Sequence, residues 1–250
     1  MRQKPIQTEA EFLKEYDAND FERPNVSVDT VIFTVSGGQL QVLLVQREHH
    51  PCQGQWSLVG GFIDVNNDKE LIDTAKRKLA EKTSVKTPYL EQFCSYGNKT
   101  RDPRGWSVTT VYFALIPSEN LELEAGQGAT DIKWVAVKKG RVKDKLAFDH
   151  AKILAECTDR LKSKLLYTSL PVHLMPDEFT LAELQAAYEV ILGESIEHKS
   201  FRRRILGADI LEETGKMRET GRRPAMIYRR KKGKGTHFFV RNFEGAHDSR

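Results

Sequence analysis

Charged side chains cluster on a predicted helix after a Gly-Gly turn, in the stretch from Gly60 to Val85, GGFIDVNNDKELIDTAKRKLAEKTSV. Helical spacing of apolar residues predicts one apolar face, formed by Leu71, Ala75, Leu79 and Ala80. The opposite face carries Lys76, Arg77, Lys78, Glu81 and Lys82. Clustered carboxylates here would hold a divalent metal ion that activates water, whereas lysine removes a ligand and repels the ion. The charges favour binding of an anionic diphosphate over hydrolysis; the alternative is a solvated basic face packed on a sheet.

Aromatic and cationic residues around this helix predict a nucleotide-binding pocket. Trp56, Phe62 and Trp106 offer flat surfaces on which an adenine ring can stack. The predicted diphosphate partners are Arg47, Arg101, Arg104, Lys78 and Lys82, because such cations pair with phosphate oxygens. Asp102 is predicted to accept hydrogen bonds from ribose hydroxyls. Each of these residues, taken alone, is equally consistent with a core aromatic or a surface cation.

A second group of cations lies on a short helix predicted from His198 to Leu206, with Phe201, Ile205 and Leu206 on its buried face. Arginine binds guanine O6 and N7 through two hydrogen bonds, whereas lysine mostly contacts phosphate. Helix-start hydroxyls and amides can bind phosphate, and arginines in a following loop can enter a minor groove. The predicted DNA-binding residues are Thr180, Lys199, Ser200, Arg202, Arg203, Arg204, Arg222 and Arg223. The alternative is a solvated basic helix.

The distribution of charge supports contact with nucleic acid. Between Lys199 and Lys234, thirteen cations and four acids give a net charge of +9, against +4 for the 250-residue chain. The remainder of the chain therefore carries −5. A basic segment attached to an acidic body is typical of a protein that binds nucleic acid.

Bulk composition indicates a soluble globular protein, with 39% hydrophobic and 30% charged residues. We expect no membrane span, because no apolar run approaches roughly 20 residues, and no signal peptide. Three scattered cysteines (Cys52, Cys94 and Cys157) fit a reduced cytosolic protein. Four of the seven histidines (His49, His50, His150 and His237) stand out in the sequence but lack partners for a metal site, and neither a metal nor a required cofactor is expected.

Periodicity in the first 170 residues predicts alternating strands and helices. Thr8 and Glu11 form a capping box for a short helix ending near Tyr16. The predicted strands are 26–35, 39–46, 56–59, 90–96, 107–116 and 132–137, the first two joined as a hairpin. Asp149 is the predicted N-cap of a helix from His150 to about Leu166, whose apolar stripe is Ile153, Leu154, Cys157, Leu161 and Leu165. His150, at the join, is a candidate for coupling the domains.

The last 80 residues predict a winged helix-turn-helix. A proline-punctuated linker from Leu170 to Pro176 precedes a second capping box at Thr180 and Glu183, and Gly193 ends the helix that follows. A tight turn and the basic helix come next, and then strands at 210–213 and 225–230 flank a loop. Helix, turn, basic helix and hairpin together favour DNA binding over a solvated basic surface.

The stretch from Gly60 to Val85 resembles the Nudix box, G-x5-E-x7-R-E-U-x-E-E-x-G-U, in which U is apolar. Aligned on Arg77, this sequence has Lys78 and Lys82 where the motif has glutamates, and Ser84 where it has glycine. The distance from Gly61 to Arg77 is two residues too long, and only Asp68 or Glu70 approximates the first acidic position.

The ordered combination resembles a known family. A degenerate Nudix box, an Arg-Asp-Pro-Arg-Gly loop, a Phe-Asp-His helix start and a C-terminal winged helix are similar to NrtR, the Nudix-related transcriptional regulators of NAD metabolism. The resemblance implies an α+β protein: a Nudix α/β/α sandwich with a mixed sheet, followed by a winged helix-turn-helix. The expected boundaries are an N-terminal arm at 1–20, the Nudix-like domain at 21–148, a connecting helix and linker at 149–170, and the DNA-binding domain at 171–250.

The family resemblance also implies a function: a bacterial, cytoplasmic, nucleoid-associated homodimer that represses NAD biosynthesis or salvage genes. Its effector would be ADP-ribose or a related NAD metabolite, and its DNA partner a palindromic operator. No catalytic residues are expected, because Lys78 and Lys82 replace carboxylates. One alternative is an active Nudix hydrolase, namely an ADP-ribose pyrophosphatase, with an accessory DNA-binding domain. The other is a Nudix-scaffold protein that binds RNA.

Overall fold

The computed structural model describes residues 8–82, 89–118, 123, 125, 128–219, 221 and 223–240. Ser84 and Val85 of the Nudix-like stretch and Arg222 of the predicted DNA-binding set lie outside these residues. The first helix, α1 (Glu9–Glu15), has the predicted capping box between Thr8 and Glu11. None of its residues is buried, so α1 lies apart from the core.

A mixed sheet forms the body of the N-terminal part. Within the described residues its strands are β1 (Asn25–Ser36), β2 (Gln39–Arg47), β3 (Trp56–Ser57), β4 (Val59–Phe62), β5 (Tyr89–Asn98), β6 (Ser107–Leu115) and β7 (Ala129–Ala136). The strand order is β3-β2-β1-β6-β5, with β4 also paired to β1 and β7 to β2. β1 runs parallel to β6, whereas the other pairs are antiparallel.

Helices cover both faces of the sheet because alternate residues of the central strands point to opposite sides. Ile32 and Leu43 pack with Leu79 of α2 (Leu71–Ala80). Phe33 and Leu44 belong to a cluster that includes the buried stripe of α3 (His150–Leu165). The predicted α/β/α sandwich is therefore confirmed.

The C-terminal part is the predicted winged helix. Its elements are β8 (Phe179–Thr180), α4 (Leu181–Leu192), α5 (His198–Gly207), β9 (Leu211–Arg218) and β10 (Ala225–Arg230). Gly193 ends α4 with a φ of 81°, a left-handed conformation that glycine adopts without a steric penalty. β9 extends beyond the predicted end at Glu213, because its pairing with β10 continues to Arg218.

The predicted linker is replaced by a packed joint between the two parts. Residues Leu170–Leu174 form a short 3-10 helix whose apolar side chains belong to the same buried cluster as the sheet and α4. His173 lies in this joint: its ring is 4.6 Å from that of Tyr89, and its Nδ1 is 2.6 Å from Arg230 Nη1. Burial and the nearby Arg230 lower the pKa of His173 to about 4, so the ring is neutral at physiological pH.

Candidate effector pocket and nucleic-acid interface

A cavity of about 420 Å³ opens between the sheet and the start of α3. Its lining carries four cations (Arg47, Lys82, Arg101 and Arg104), two carboxylates (Asp29 and Asp102) and three histidines (His49, His50 and His150). With neutral histidines the lining has an excess of two positive charges. A cavity of this size and charge suits a small anionic ligand.

A network of hydrogen bonds and ion pairs connects the floor of the cavity to the start of α3. Asp29, on β1, accepts a hydrogen bond from Thr109 Oγ1 on β6 at 2.8 Å, and its Oδ2 lies 3.7 Å from Arg101 Nη2. Arg101 donates to both carboxylate oxygens of Asp149, at 3.0 and 2.9 Å. The Arg101 side chain is only 5% exposed, so these contacts lie in a poorly solvated region where ion pairs are weakly screened.

Asp149 occupies the predicted N-cap position but does not cap α3. Its side chain makes no capping hydrogen bond, because both of its oxygens accept from Arg101. The residue before it, Phe148, has a φ of 53°, a backbone conformation that residues other than glycine rarely adopt. This left-handed residue lets the Phe148 and His150 rings face the cavity while Asp149 faces Arg101.

His150 is a neutral, fixed wall of the cavity. Its Nδ1 accepts a hydrogen bond from the backbone N–H of Leu58 at 3.0 Å, which places the proton on Nε2. Nε2 lies 3.7 Å from Asp29 Oδ2. Burial lowers the pKa of His150, and the nearby Asp29 only partly opposes this effect. His150 therefore presents a donor to the floor of the cavity.

Two guanidinium groups that line the cavity lie over aromatic rings. Arg104 lies 4.9 Å from the centre of the Phe62 ring and donates to both oxygens of Asp102. Arg47 lies 4.8 Å from the Phe148 ring. Burial alone would raise the pKa of Asp102, but the hydrogen bonds from Arg104 outweigh it and the pKa falls below its usual value. Asp102 is therefore ionised and acts as an acceptor.

The cavity contains six of the nine predicted ligand-binding residues: Arg47, Phe62, Lys82, Arg101, Asp102 and Arg104. Trp56, Lys78 and Trp106 are not among its lining residues. Trp56 packs under the Nζ of Lys133 at 3.9 Å, and Trp106 is half-exposed beside Gly97. Sequence reasoning missed Asp29, His49, His50 and Phe148 and treated His150 only as a coupling residue.

Two cations on the charged face of α2 pair with nearby carboxylates. Lys78 pairs with Glu81 at 2.9 Å, and Arg77 binds Asp68 through two hydrogen bonds. Lys82 is buried, donates to the Ala125 carbonyl oxygen, and has a pKa lowered by burial. Within the described residues, no three His, Cys, Asp or Glu side chains form a group that could hold a metal ion.

Helix α5 carries four exposed lysine and arginine residues, Lys199, Arg202, Arg203 and Arg204. Among the described residues, no carboxylate lies within 4 Å of the side-chain nitrogens of Lys199, Arg202 or Arg203. Phe201 and Ile205 form the buried face as predicted. The prediction for Leu206 is wrong, because its side chain is 37% exposed beyond the end of that face.

Arg204 points in a different direction from its neighbours. Its Nη2 donates to the carbonyl oxygen of Leu166, just beyond α3, at 2.5 Å. Its guanidinium group lies 4.2 Å from the centre of the Phe239 ring. Arg204 thus connects α5 to the end of α3 and to the C-terminal segment, and its contact with DNA stays a prediction.

The predicted phosphate-binding helix starts are already capped. Thr180 is buried, and its hydroxyl and backbone N–H are engaged by Glu183 in a capping box. Glu197, which sequence reasoning did not select, accepts hydrogen bonds from the amides of Lys199 and Ser200 at 2.8 and 2.6 Å. A phosphate at either start would have to displace a carboxylate, which argues against Thr180 and Ser200 as phosphate contacts.

Ion pairs also occupy several cations of the wing. Lys216 pairs with Glu178, Arg218 with Glu183, Arg229 with Glu212, and Lys231 with Asp209. Arg223, in the loop between β9 and β10, is exposed.

Two family models match the chain: the NUDIX domain over residues 23–157 and the NrtR DNA-binding winged helix domain over residues 171–230. A protein of Acinetobacter baylyi, described as ADPR responsive transcriptional repressor NtrR, is 46% identical over 89% of this chain and 88% of its own length. Among solved structures, Shewanella oneidensis NrtR complexed with a 27mer DNA matches at 44% identity with a TM-score of 0.77, covering 88% of this chain and 99% of that chain.

The NUDIX domain of the same Shewanella oneidensis protein, complexed with ADP ribose, matches at 45% identity with a TM-score of 0.58, covering 62% of this chain and 99% of that chain. No helix in the described residues is long and apolar enough to cross a membrane. Both domains match in order, and a relative at 46% identity spans most of the sequence, so the chain belongs to the NrtR family, in which a Nudix domain precedes a DNA-binding winged helix.

Proposed function

We propose that this protein is a DNA-binding transcriptional repressor whose affinity for DNA is controlled by ADP-ribose, or a related NAD metabolite, bound in the Nudix cavity. One observation carries the proposal: the cavity and the basic helix α5 lie against opposite ends of α3. The printed descriptions of the relatives, an ADPR-responsive repressor and complexes with DNA and with ADP ribose, support it.

The cavity offers each part of ADP-ribose a complementary group. Arg47, Arg104 and Lys82 supply cations for the diphosphate, and the two guanidinium groups can each bind two phosphate oxygens. The ionised Asp102 accepts from ribose hydroxyls, and the 46% exposed Phe62 supplies a surface for the adenine ring. Arg101, beside Asp29, supplies a fourth cation for the diphosphate.

Helix α5 enters the major groove in this proposal, with Arg202 and Arg203 reading base edges and Lys199 contacting phosphate. Arg223, and Arg222 beside it in the sequence, contact the backbone or the minor groove. Two copies in a homodimer would place two such helices on the half-sites of a palindromic operator upstream of NAD biosynthesis or salvage genes. The protein would act in the bacterial cytoplasm, associated with the nucleoid.

The last turns of α2 argue against hydrolysis as the main activity. A catalytic Mg²⁺ needs several oxygen ligands, yet Glu81 is held by Lys78 and Arg77, and Lys82 is buried beside it. The second candidate, an ADP-ribose pyrophosphatase, requires metal-dependent release of AMP. Incubation of the protein with ADP-ribose and Mg²⁺ is expected to give no sustained turnover.

The decisive experiment is a titration of a fluorescent palindromic duplex, with and without ADP-ribose, at several salt concentrations. We expect tight, sequence-dependent binding that saturating ADP-ribose weakens by roughly 5- to 150-fold, the usual range of allosteric coupling. AMP in place of ADP-ribose is the ligand control, and an RNA of the same sequence tests the RNA-binding alternative. Binding that ignores sequence, or is indifferent to ADP-ribose, contradicts the proposal.

A further inference from the structure

We propose that the ion pair between Arg101 and Asp149 is the contact through which an occupied cavity changes the position of α3, and that Arg204 passes this change to α5. This inference rests on the function proposed above. It assigns Asp149 and Arg204 as positioning residues, neither of which touches the ligand in the proposed complex.

The ion pair between Arg101 and Asp149 lies at the boundary of the cavity, where a bound ligand can compete with Asp149 for Arg101. Arg101 lines the cavity and faces two carboxylates, Asp29 at 3.7 Å and Asp149 at 2.9 Å. A diphosphate in the cavity adds negatively charged oxygens that match the same planar donor group. Phosphate oxygens in the cavity attract the Arg101 guanidinium group towards themselves, and this displacement weakens its contacts to Asp149.

Loss of Arg101 changes what Asp149 can do. Asp149 already stands at the N-cap position of α3, with its backbone carbonyl accepting from Lys152 and Ile153 at 3.0 and 3.1 Å. A released Asp149 carboxylate can accept from the first amides of α3, as N-cap carboxylates do, and the positive end of the helix dipole favours this. Two alternative partners for one carboxylate give the start of α3 two discrete arrangements.

The far end of α3 is tied directly to the winged helix. Arg204 Nη2 donates to the Leu166 carbonyl oxygen, and Tyr188 of α4 donates to the Thr168 carbonyl oxygen at 2.8 Å. Leu161 and Leu165 of α3 share one buried cluster with Tyr188 and Phe201. A packed helix of 16 residues moves as a rigid body, so a displacement at Asp149 reaches α5.

Asp149 can be altered without removing a ligand contact. It is absent from the cavity lining and lies instead on an open groove on the other side of Arg101, beside Tyr96 and Lys152. Asp149→Asn keeps the shape of the side chain and weakens its attraction for Arg101. The matched control is Glu156→Gln, the same change on the exposed face of the same helix, where Glu156 accepts from Tyr96 at 2.7 Å.

The experiment measures the Kd for ADP-ribose by calorimetry and the Kd for duplex DNA with and without ADP-ribose. Asp149→Asn weakens the pair before any ligand arrives and so favours the ligand-bound arrangement; we expect ADP-ribose to bind about 3- to 10-fold tighter and DNA without effector to bind correspondingly weaker. Glu156→Gln is expected to match the wild type in all three values. A purely structural role for Asp149 would instead weaken both affinities, and that result overturns the proposal.

A second variant tests the output end and keeps the proposal falsifiable should Asp149→Asn fold poorly. Arg204→Lys keeps the charge but loses the planar group that spans the Leu166 carbonyl and the Phe239 ring. We expect an unchanged Kd for ADP-ribose and an effect of ADP-ribose on DNA binding reduced at least 3-fold. Full coupling in Arg204→Lys contradicts the assignment. If the wild type itself shows no coupling, the proposed function fails. If the wild type shows coupling and both variants retain it unchanged, the relay fails but the proposed function stands.

Discussion

The tight approach of β4 to β1 beneath the cavity makes Gly60→Ala a sharp test of the site. A Cβ at Gly60 would lie 2.2 Å from Asp29 Oδ1 and 2.6 Å from the backbone oxygen of Val28. Both distances have to open beyond 3.0 Å, so the Asp29 carboxylate must move by about 1 Å and the two strands must separate. Rotation of the Asp29 side chain alone cannot relieve the contact with Val28, because that atom belongs to the backbone.

The neighbouring Gly61 supplies a matched control. A Cβ there would meet Lys78 Cε at 2.9 Å, the far end of a flexible side chain that can swing away. Neither glycine has a positive φ, so alanine fits the backbone conformation at both positions. The two variants therefore differ in the atoms that the new methyl group meets and not in backbone strain.

The expected effects follow from these contacts. Overpacking of this kind costs about 1–3 kcal/mol, so Gly60→Ala should lower Tm by roughly 2–12 °C, whereas Gly61→Ala should change it by no more than about 2 °C. Displacement of Asp29 also disturbs Arg101 and His150, each 3.7 Å away, and should weaken ADP-ribose binding roughly tenfold, or 1.4 kcal/mol. Thermal unfolding and calorimetry measure the two effects. Equal Tm and equal affinity in the two variants would refute the packing argument.

Three further predictions address separate parts of the molecule. Lys82→Met removes a cavity cation and should weaken ADP-ribose binding about tenfold, whereas Lys78→Met, outside the lining, should leave the Kd within about twofold, as calorimetry would show. Lys199→Ala should weaken DNA binding and reduce the slope of log Kd against log salt by about 1, because Lys199 is the proposed phosphate contact, whereas Lys216→Ala, which loses its pair with Glu178, should leave the slope unchanged. The pKa of His173 is about 4 in the fold against 6.5 for the unperturbed side chain, so the unfolded chain binds the extra proton and stability falls as pH drops from 6.5 towards 4. His173→Gln should lose this part of the pH dependence of Tm; an unchanged profile would show that His173 is solvated.

Local patterns predicted the elements well, because their causes lie within a few residues. The capping boxes at Thr8 and Thr180 and the glycine stop at Gly193 each depend on contacts within about one helical turn, and the structure has all three. The apolar stripe of α3 likewise follows from helical spacing alone. The family resemblance added the order of the domains, which no local pattern provides.

The composition of the cavity depends on pairings that no local pattern contains. Asp29 and Arg101 meet because β1 pairs in parallel with β6, next to the loop that carries Arg101. Trp56 and Trp106 looked equally suitable as stacking surfaces, yet neither lines the cavity, because Trp56 packs against Lys133 and Trp106 lies beside Gly97. Arg203 and Arg204 are adjacent, chemically identical and both exposed, and only the positions of Phe239 and Leu166 make Arg204 the one that joins two helices.

The unbroken apolar cluster from the sheet through α3 and the 3-10 helix to α4 restricts how the protein can respond to its effector. A hinged swing of the winged helix would expose Leu170, Val172 and Leu174 to water, whereas a shear displacement of one or two ångströms keeps them covered. Displacements of this size are sufficient to weaken DNA binding, because the two half-sites of an operator accept only a narrow range of spacings between the two reading helices of a dimer. The same continuity predicts that both halves unfold in a single calorimetric peak, and that a separately produced winged helix exposes apolar surface and aggregates.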